Sequence, residues 1–260
     1  GQAIRKKKKS SIVLAVDAVA KGSSDAVVAA GSTGAAMASS LFGLGRIPGI
    51  ERPAIAVTLP TMKKPIVVID AGANSSCTPQ MLKQFAIMGL TFSKNVLGVE
   101  NPRVGVLNIG EEAGKGNELA QNTYKLLEQE QDNMNFVGNI EGREIFLNVC
   151  DVIVCDGFVG NVALKITEGT SSMLFRMIKA EFKSDFVGAI IGMLAKPFMK
   201  RIYEKINYEE FGGALLLGVK GITIISHGRS KAYAIKNAVR VAKDAVEKGV
   251  NRKISEFIEG

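Results

Sequence analysis

The sequence is poor in the residues that build metal sites, disulfide frameworks and base-stacking surfaces. It has no tryptophan, a single histidine (His227) and three cysteines, Cys77, Cys150 and Cys155, none of them in a CxxC pair. Those counts exclude a zinc site made of Cys and His, and they fit a reducing compartment better than a disulfide scaffold. Aromatic residues make up only 6% of the chain, which argues against a binder of single-stranded nucleic acid that stacks bases.

Long apolar runs are also missing. The longest, 186–195, includes two glycines and is far shorter than the roughly 20 residues that a bilayer-spanning helix needs. No secretory signal peptide is visible, because the basic run 5–9 leads into an amphipathic pattern rather than an apolar stretch. We therefore expect a cytoplasmic protein.

Glycine and basic residues, by contrast, are in excess. Glycine occurs 28 times in 260 residues, above the average usage of roughly 7%, and the excess clusters after strand-like runs. Lys and Arg number 33 against 25 Asp and Glu. The resulting net charge of +8 favours acidic partners, such as a phosphorylated ligand, an acidic protein or anionic lipid.

Short runs rich in valine and isoleucine alternate with helical patterns along almost the whole chain. The predicted strands are 25–30, 53–59, 65–70, 103–109, 135–138, 151–155 and 222–226. Helices are predicted at about 10–21, 33–43, 78–97, 115–130, 158–182, 185–206 and 229–248. Apolar strands separated by crossover helices indicate a mostly parallel sheet covered on both faces. No linker or repeat divides the sequence, so residues 1–260 are predicted to form one α/β domain.

Glycine-rich or polar turns follow five of the predicted strands, and we expect these turns to share one edge of the sheet. In a parallel sheet that edge binds ligands, and several of the turns open a helix whose free N–H groups suit an anion. The sequence therefore predicts a site for phosphate or a phosphorylated ligand. Its candidate residues are Gly31, Ser32, Thr33, Gly34, Asp70, Gly72, Asn74, Asn108, Gly110, Glu111, Gly114, Lys115, Gly116, Asn117, Asp156, Gly157, Gly160, Asn161 and His227.

The segment 110–117 resembles a nucleotide-binding P-loop only in part. It follows a strand, precedes a helix and contains a Gly-Lys pair, but its glycine spacing is one residue short. Gly116 also stands where a P-loop has the Ser or Thr that binds magnesium, so an NTPase is not indicated. Two interpretations of Lys115 stay open: a solvated loop lysine, or a cation that neutralises phosphate.

Other candidate residues have a structural interpretation as well. Asp70 and Asp156 each follow an apolar strand, where an aspartate also serves as a helix N-cap or a turn former. Cys155 has the position of a nucleophile, yet a buried cysteine is usually a small core residue. His227, at a strand end, either orients a loop or moves protons.

Six strings carry a resemblance to a known family: 30–39, 65–74, 102–119, 135–146, 151–165 and 211–221. Within them, GEEAGKGNE and CDGFVGN are highly specific. On these strings the chain resembles the bacterial acyl-(acyl-carrier-protein):phosphate acyltransferases of fatty acid and phospholipid synthesis. Members of that family begin with a further strand and an Asp-Ala-Met-Gly-Gly-Asp turn upstream of this sequence, so the resemblance also implies an N-terminally incomplete chain.

The resemblance implies a three-layer αβα fold with a Rossmann-like sheet of the isopropylmalate dehydrogenase type. It implies that inorganic phosphate attacks the thioester of a long-chain acyl carrier protein to give acyl phosphate. It also implies a homodimer that contacts membranes peripherally, with no cofactor, no metal and no nucleic acid partner.

Within that implied reaction, the loops 31–34 and 110–117 with Lys115 would hold phosphate. Asn108 or Asn161, together with N–H groups of 157–161, would stabilise the thioester oxyanion. Asp156 is counted among the catalytic residues, and His227 would take or give a proton.

An amphipathic segment, 183–206, is predicted to form a helical hairpin that is broken at Pro197. Its apolar residues recur at helical spacing between basic ones and include Phe186, Ile190, Met193 and Leu194. Two interpretations stay open. The apolar face is either buried on the sheet or in a dimer interface, or it rests on an anionic membrane surface.

Three other functions fit parts of the pattern. An acyltransferase that uses coenzyme A thioesters, like phosphate acetyltransferase, would share the fold and the phosphate chemistry. An NAD-dependent decarboxylating dehydrogenase is related in architecture, but it needs clustered aspartates for a divalent metal, and only Asp70 and Asp156 are well placed. A module that binds nucleic acid is supported by the basic run 5–9 alone.

Overall fold

The computed structural model describes residues 9–206 and 212–259, so most of the basic run 5–9 and position 211 of the string 211–221 lie outside it. Its strands are β1 (Ala26–Ala30), β2 (Ala54–Leu59), β3 (Ile66–Ile69), β4 (Arg103–Asn108), β5 (Asn135–Glu141), β6 (Val152–Val154), β7 (Ala214–Leu217) and β8 (Ile222–Ser226). Its α-helices are α1 (Ser11–Ala20), α2 (Thr33–Gly43), α3 (Pro79–Asn95), α4 (Glu118–Glu128), α5 (Gly157–Glu181), α6 (Phe186–Ile206), α7 (Ala232–Glu247) and α8 (Val250–Glu259). A 3₁₀ turn covers Gly142–Glu144.

The strands form one eight-stranded sheet in the order β1-β8-β7-β2-β3-β6-β4-β5. Four neighbouring pairs are parallel: β1 with β8, β3 with β6, β6 with β4, and β4 with β5. Three are antiparallel: β2 with β3, β2 with β7, and β7 with β8. The predicted α/β class with a mostly parallel sheet is confirmed.

The strand directions divide the sheet into two sets. Strands β3, β4, β5, β6 and β7 run one way, and β1, β2 and β8 run the other way. The turns that follow β1 and β8 therefore lie at the opposite edge from those that follow β3, β4 and β6. The expectation that all five turns share one edge is wrong, because the antiparallel strands β2 and β7 in the middle of the sheet reverse the direction.

The sheet is buried on both faces, as its apolar strands predict. In β3 every side chain is at most 4% exposed, and alternate residues enter different core clusters. Val67 and Ile69 belong to the cluster that includes residues of α3, α7 and α8, whereas Ile66 and Val68 face the opposite layer. Strands buried in this way read as continuous apolar runs instead of alternating patterns.

A long helical hairpin projects from this body. It is made by α5 and α6, joined at 182–185, and the rings of Phe175 and Tyr203 meet edge to face at 5.4 Å between centroids. The prediction of a hairpin within 183–206 is wrong in its bounds, because Pro197 lies inside α6 and does not break it. α6 is exposed along its length, so water can satisfy the carbonyl that proline leaves without an N–H partner. No helix in the described ranges is both long enough and apolar enough to cross a bilayer.

Candidate active site

Asp70 organises the turn that follows β3. Its Oδ1 accepts hydrogen bonds from the N–H groups of Ile55 (3.0 Å), Gly72 (3.1 Å) and Ala73 (2.9 Å), and its Oδ2 accepts from the N–H (2.7 Å) and Nδ2 (2.9 Å) of Asn74. The residue is 0% exposed. Burial raises the pKa of its carboxyl group, against the opposing effect of the donors on Ala73, Ile55 and Asn74. Asp70 therefore fixes the loop and presents no surface to a ligand, so its turn-forming interpretation is the correct one.

The first turn of α5 packs directly on this loop. The N–H of Gly157 donates to the carbonyl of Asn74 at 2.7 Å. A Cβ on Gly157 would lie 2.8 Å from Asp70 Oδ2, and one on Gly160 would overlap the carbonyl oxygen of Asp70. These two predicted binding residues thus have a steric role: they let the helix begin against the loop.

Asp156 is the N-cap of α5. Its Oδ1 accepts hydrogen bonds from the N–H groups of Phe158 and Val159, both at 2.9 Å. Since Gly157 donates to Asn74 and Gly160 to the carbonyl of Asp156, the N–H groups at the start of this helix are occupied. The prediction that they stabilise an oxyanion is wrong, and the N-cap interpretation of Asp156 is correct.

Asn161, in the second turn of α5, has an available polar side chain beside the 70–74 loop. It is exposed, and its amide carbon lies 3.5 Å from the position that a Cβ on Gly72 would take. Its amide has no hydrogen-bond partner among the described residues. Asn161 therefore faces the 70–74 loop with a free donor and a free acceptor.

The glycine loop 110–117 is held from inside by side-chain amides. Asn108 Nδ2 donates to the carbonyl of Lys115 at 3.0 Å, and its Oδ1 accepts from the N–H of Ile109 at 2.8 Å. Gln121 Nε2 donates to the carbonyls of Gly114 (2.9 Å) and Gly116 (3.0 Å). Asn139 Nδ2 donates to the carbonyl of Glu112 at 2.8 Å. The amide of Asn108 is therefore engaged and not directed at a thioester.

Lys115 lies on the outer side of this loop. The residue is exposed, and its N–H closes a turn onto the carbonyl of Glu112 at 3.0 Å. Asn117 caps the helix that follows, accepting a hydrogen bond from Ala120 at 2.9 Å. The loop thus presents a lysine beside a helix N-terminus, a combination that suits an anion.

The sheet brings the loops 70–74, 108–117 and 156–161 together, because β3, β6 and β4 are adjacent. Val154 pairs with both Ile69 and Val106, so Asn108 and Asp156 follow at the same level on neighbouring strands, about 5 Å apart.

Arg143, beyond β5, adds a cation that the sequence did not indicate; it pairs with Glu141 (2.6 Å) and approaches Glu111 (3.6 Å). No metal-binding group of three or more His, Cys, Asp or Glu occurs within the described residues.

Cys155 is a core residue at this edge. It is 3% exposed, and its Sγ lies 3.6 Å from the carbonyl oxygen of Asp70. Burial raises the pKa of its thiol, and it also raises the pKa of Cys77 to about 12. A protonated, enclosed thiol is a poor nucleophile, so the core interpretation of Cys155 is correct.

His227 lies at the other edge of the sheet, with the Gly31–Gly34 turn. The N–H of Gly31 donates to the carbonyl of Ser226 at 3.3 Å, and Ser32 caps α2. His227 is exposed, and its Nδ1 accepts a hydrogen bond from the N–H of Arg229 at 3.2 Å. From the strand register, His227 and Asp70 are about 20 Å apart. The prediction that His227 and Lys115 serve one site is therefore wrong for this chain taken alone.

Comparison with known proteins identifies the family. The family described as fatty acid synthesis protein matches residues 1–253. The chain is 53% identical over 249 residues to a phosphate acyltransferase of Halothermothrix orenii, covering 96% of this chain and 75% of that protein. It is 49% identical over 255 residues to a phosphate acyltransferase of Dictyoglomus thermophilum, covering 98% and 76%.

The chain belongs to the fatty acid synthesis protein family. The resemblance read from its six strings is confirmed, and with it an acyltransferase role.

Solved structures with the same fold lie at low sequence identity. EutD phosphotransacetylase from Staphylococcus aureus superimposes with a TM-score of 0.60 at 13% identity, covering 90% of this chain and 67% of that one. 4-Hydroxythreonine-4-phosphate dehydrogenase from Klebsiella pneumoniae gives 0.53 at 12% identity, covering 90% and 68%. At these identities the likeness concerns the fold alone, which an acyltransferase and a dehydrogenase here share.

Proposed function

We propose that this acyltransferase moves a long-chain acyl group from an acyl carrier protein thioester to inorganic phosphate. An oxygen of HPO₄²⁻ attacks the thioester carbonyl carbon, the C–S bond breaks, and the proton of the phosphate ends on the released thiol. The products are acyl phosphate and free carrier. The observation that carries the proposal is the glycine loop 110–117, which presents Lys115 outward at the start of α4.

Positive charge is the main requirement on the phosphate side. Phosphate is a weak nucleophile, and the thioester oxygen gains negative charge as the bond forms, so two anionic groups come close in the transition state. Lys115 would neutralise phosphate, and the N-terminus of α4 would add a partial positive charge. Both groups stand on one strand–loop–helix unit, which lowers the barrier by positioning them together.

The thioester side is assigned to Asn161. Its free amide lies over the 70–74 loop, and its Nδ2 is the donor we propose for the thioester carbonyl oxygen. Asn108 and the N–H groups of 157–160 donate elsewhere and are not assigned this role. Direct attack by phosphate is favoured over an acyl-cysteine, since Cys155 is enclosed and its thiol pKa is raised.

The carrier protein is proposed as donor on grounds of charge. Acyl carrier proteins are acidic as a class, and the net charge of this chain is +8. The test compares palmitate bound to the carrier with palmitate bound to coenzyme A, measuring phosphate-dependent release of free thiol. Release from the carrier thioester at the higher kcat/KM supports the proposal. A preference for the coenzyme A thioester would assign the alternative donor, and thiol release without phosphate would exclude phosphorolysis.

A membrane surface is proposed as the partner of the hairpin tip. In α6 no described residue is buried, and Phe186, Met193 and Leu194 are 80%, 75% and 70% exposed. The apolar face of α6 is therefore not buried on the sheet of its own chain. Exposed lysines and arginines surround it, at 183, 196, 200, 201 and 205. An apolar tip with a basic collar suits anionic lipid, and the acyl phosphate product is itself lipid-like. The same proposal includes a homodimer, in which two copies of the chain meet along the remaining apolar surface of the hairpin.

A further inference from the structure

The glycine loop 110–117 has few backbone hydrogen bonds of its own, so its shape depends on neighbouring side chains. Two of these, Gln121 on α4 and Asn139 on β5, lie outside the glycine-rich string and carry no charge. Gln121 donates to the carbonyls of Gly114 and Gly116, and Asn139 donates to the carbonyl of Glu112. Together with Asn108, which donates to the carbonyl of Lys115, they hold four carbonyl oxygens of the loop, those of Glu112, Gly114, Lys115 and Gly116.

That orientation has a direct consequence for the N–H groups. In a trans peptide the C=O of one residue and the N–H of the next point in opposite directions. The N–H of Lys115 donates to the carbonyl of Glu112. Because the carbonyls of Glu112, Lys115 and Gly116 accept side-chain amides, the N–H groups of Ala113, Gly116 and Asn117 point away from those amides. Within the described part of the chain, none of these three N–H groups donates a hydrogen bond. Gly116 has a φ of +87°, the left-handed conformation that makes adjacent N–H groups converge on an anion.

Asn139 shows that this orientation is maintained at a cost. The residue is 5% exposed, and its Oδ1 has no hydrogen-bond partner in the part of the chain that the structure describes. An unpaired buried acceptor destabilises a folded protein, so a leucine of similar size would suit the same space at least as well. Among the described residues, the bond from its Nδ2 to the carbonyl of Glu112 in the glycine loop is the one hydrogen bond that Asn139 makes through its side chain.

We infer, on the basis of the proposed function, that Gln121 and Asn139 are positioning residues for phosphate. They hold the carbonyls of the loop inward, so that the N–H groups of Ala113, Gly116 and Asn117 converge beside Lys115 on one phosphate ion. Neither residue touches the phosphate. Their contribution is to the binding of phosphate and not to that of the thioester.

The test replaces each residue by leucine in the full chain and measures phosphorolysis against phosphate concentration. Gln121→Leu removes two hydrogen bonds to the loop and Asn139→Leu removes one. Each should raise KM for phosphate by about three- to tenfold, with kcat and KM for the thioester changed less than about twofold. The matched controls Asn122→Leu and Asn135→Leu, exposed on the same helix and strand, should behave like wild type.

Thermal unfolding separates positioning from mere stability. Asn139→Leu should unfold at the same temperature as wild type or higher, because it removes the unpaired Oδ1. The inference is overturned if KM for phosphate is unchanged in both leucine variants. It is also overturned if the variants unfold at a lower temperature and lose kcat while their KM for phosphate stays unchanged. If Asn139→Leu does not fold, Gln121→Leu alone decides in the same way.

Calorimetry of wild type with inorganic phosphate tests the proposed function separately: a chain that neither binds phosphate nor releases thiol would refute that function, whatever the variants do.

Discussion

Gly160 of α5 lies against the carbonyl oxygen of Asp70 so closely that a Cβ on residue 160 would overlap it. This contact joins the start of a 25-residue helix to the turn after β3. The hydrogen bond from Gly157 to Asn74 is part of the same junction. The geometry of the proposed thioester site, including the placement of Asn161, therefore depends on the absence of a side chain at position 160.

Gly160→Ala should destabilise the chain. The new methyl group meets backbone, which cannot move aside without shifting α5, so we expect a loss of about 1–3 kcal/mol in the free energy of unfolding. Gly169→Ala is the matched control: it lies in the same helix, and its Cβ would meet nothing within 4 Å. That change should raise stability by about 0.5–1 kcal/mol through helix propensity. Denaturant titration of both variants checks the pair, and equal effects would show that the contact is unimportant.

Asp70→Asn should weaken the 70–74 loop although the two side chains have the same size. The carboxylate accepts every hydrogen bond it makes, and an amide would replace one of its oxygens by an NH2 group. That group would face either the N–H groups of Ile55 and Ala73, which donate to Oδ1, or the N–H of Asn74, which donates to Oδ2. We expect a loss of about 1–3 kcal/mol in the free energy of unfolding. Asp17→Asn, at an exposed ion pair with Lys21, should cost less than about 1 kcal/mol. A variant at position 70 as stable as wild type would contradict the role assigned to this carboxylate.

Cys155→Ala should keep most of the phosphorolysis activity. The thiol is enclosed and protonated, so direct attack by phosphate does not need it. Initial rates of thiol release from wild type and variant give the comparison. Mass spectrometry of wild type mixed with acyl carrier thioester should find no acyl group on Cys155, and an acylated Cys155 would establish a covalent route instead.

Ile190→Glu together with Leu194→Glu should abolish sedimentation with anionic liposomes and leave phosphorolysis in solution unchanged. Both side chains are exposed on α6, and burying two carboxylates in the lipid interface is unfavourable. Asn122→Glu with Asn135→Glu makes the same change in charge on exposed positions away from the hairpin and should still sediment. Dissociation of a homodimer by the hairpin variant, with lipid binding retained, would assign this face to the dimer.

The strand positions and most helices could be predicted from the sequence, because strands buried on both faces give apolar runs that stand out. The direction of the strands could be predicted only in part. The six residues 60–65 between β2 and β3 are too few for a crossover, which needs about a dozen, so this antiparallel pair was foreseeable. The strand β7 was missed because four apolar residues between glycines give a weak signal.

Of the residues in the candidate site, some could likewise be predicted from the sequence and others could not. Lys115 and the glycine loop could be found, because glycine and lysine between a strand and a helix form a local pattern. Gln121 and Asn139 could not, because each is polar for a reason that only the folded chain shows: a carbonyl of the loop lies within reach. His227 was grouped with Lys115 because both follow apolar runs, and strand direction alone separates them.

The phosphate KM and kcat of Lys115→Ala test the central claim most directly. Loss of a preorganised cation at the phosphate should remove about 2–4 kcal/mol of transition-state stabilisation, a fall of about 30- to 1000-fold in kcat/KM for phosphate. The unfolding temperature should stay unchanged, because Lys115 is exposed, and Lys125→Ala, an exposed lysine on α4, should retain wild-type kinetics. A Lys115→Ala enzyme with the kcat/KM of wild type for phosphate would contradict the assignment of the glycine loop as the phosphate site.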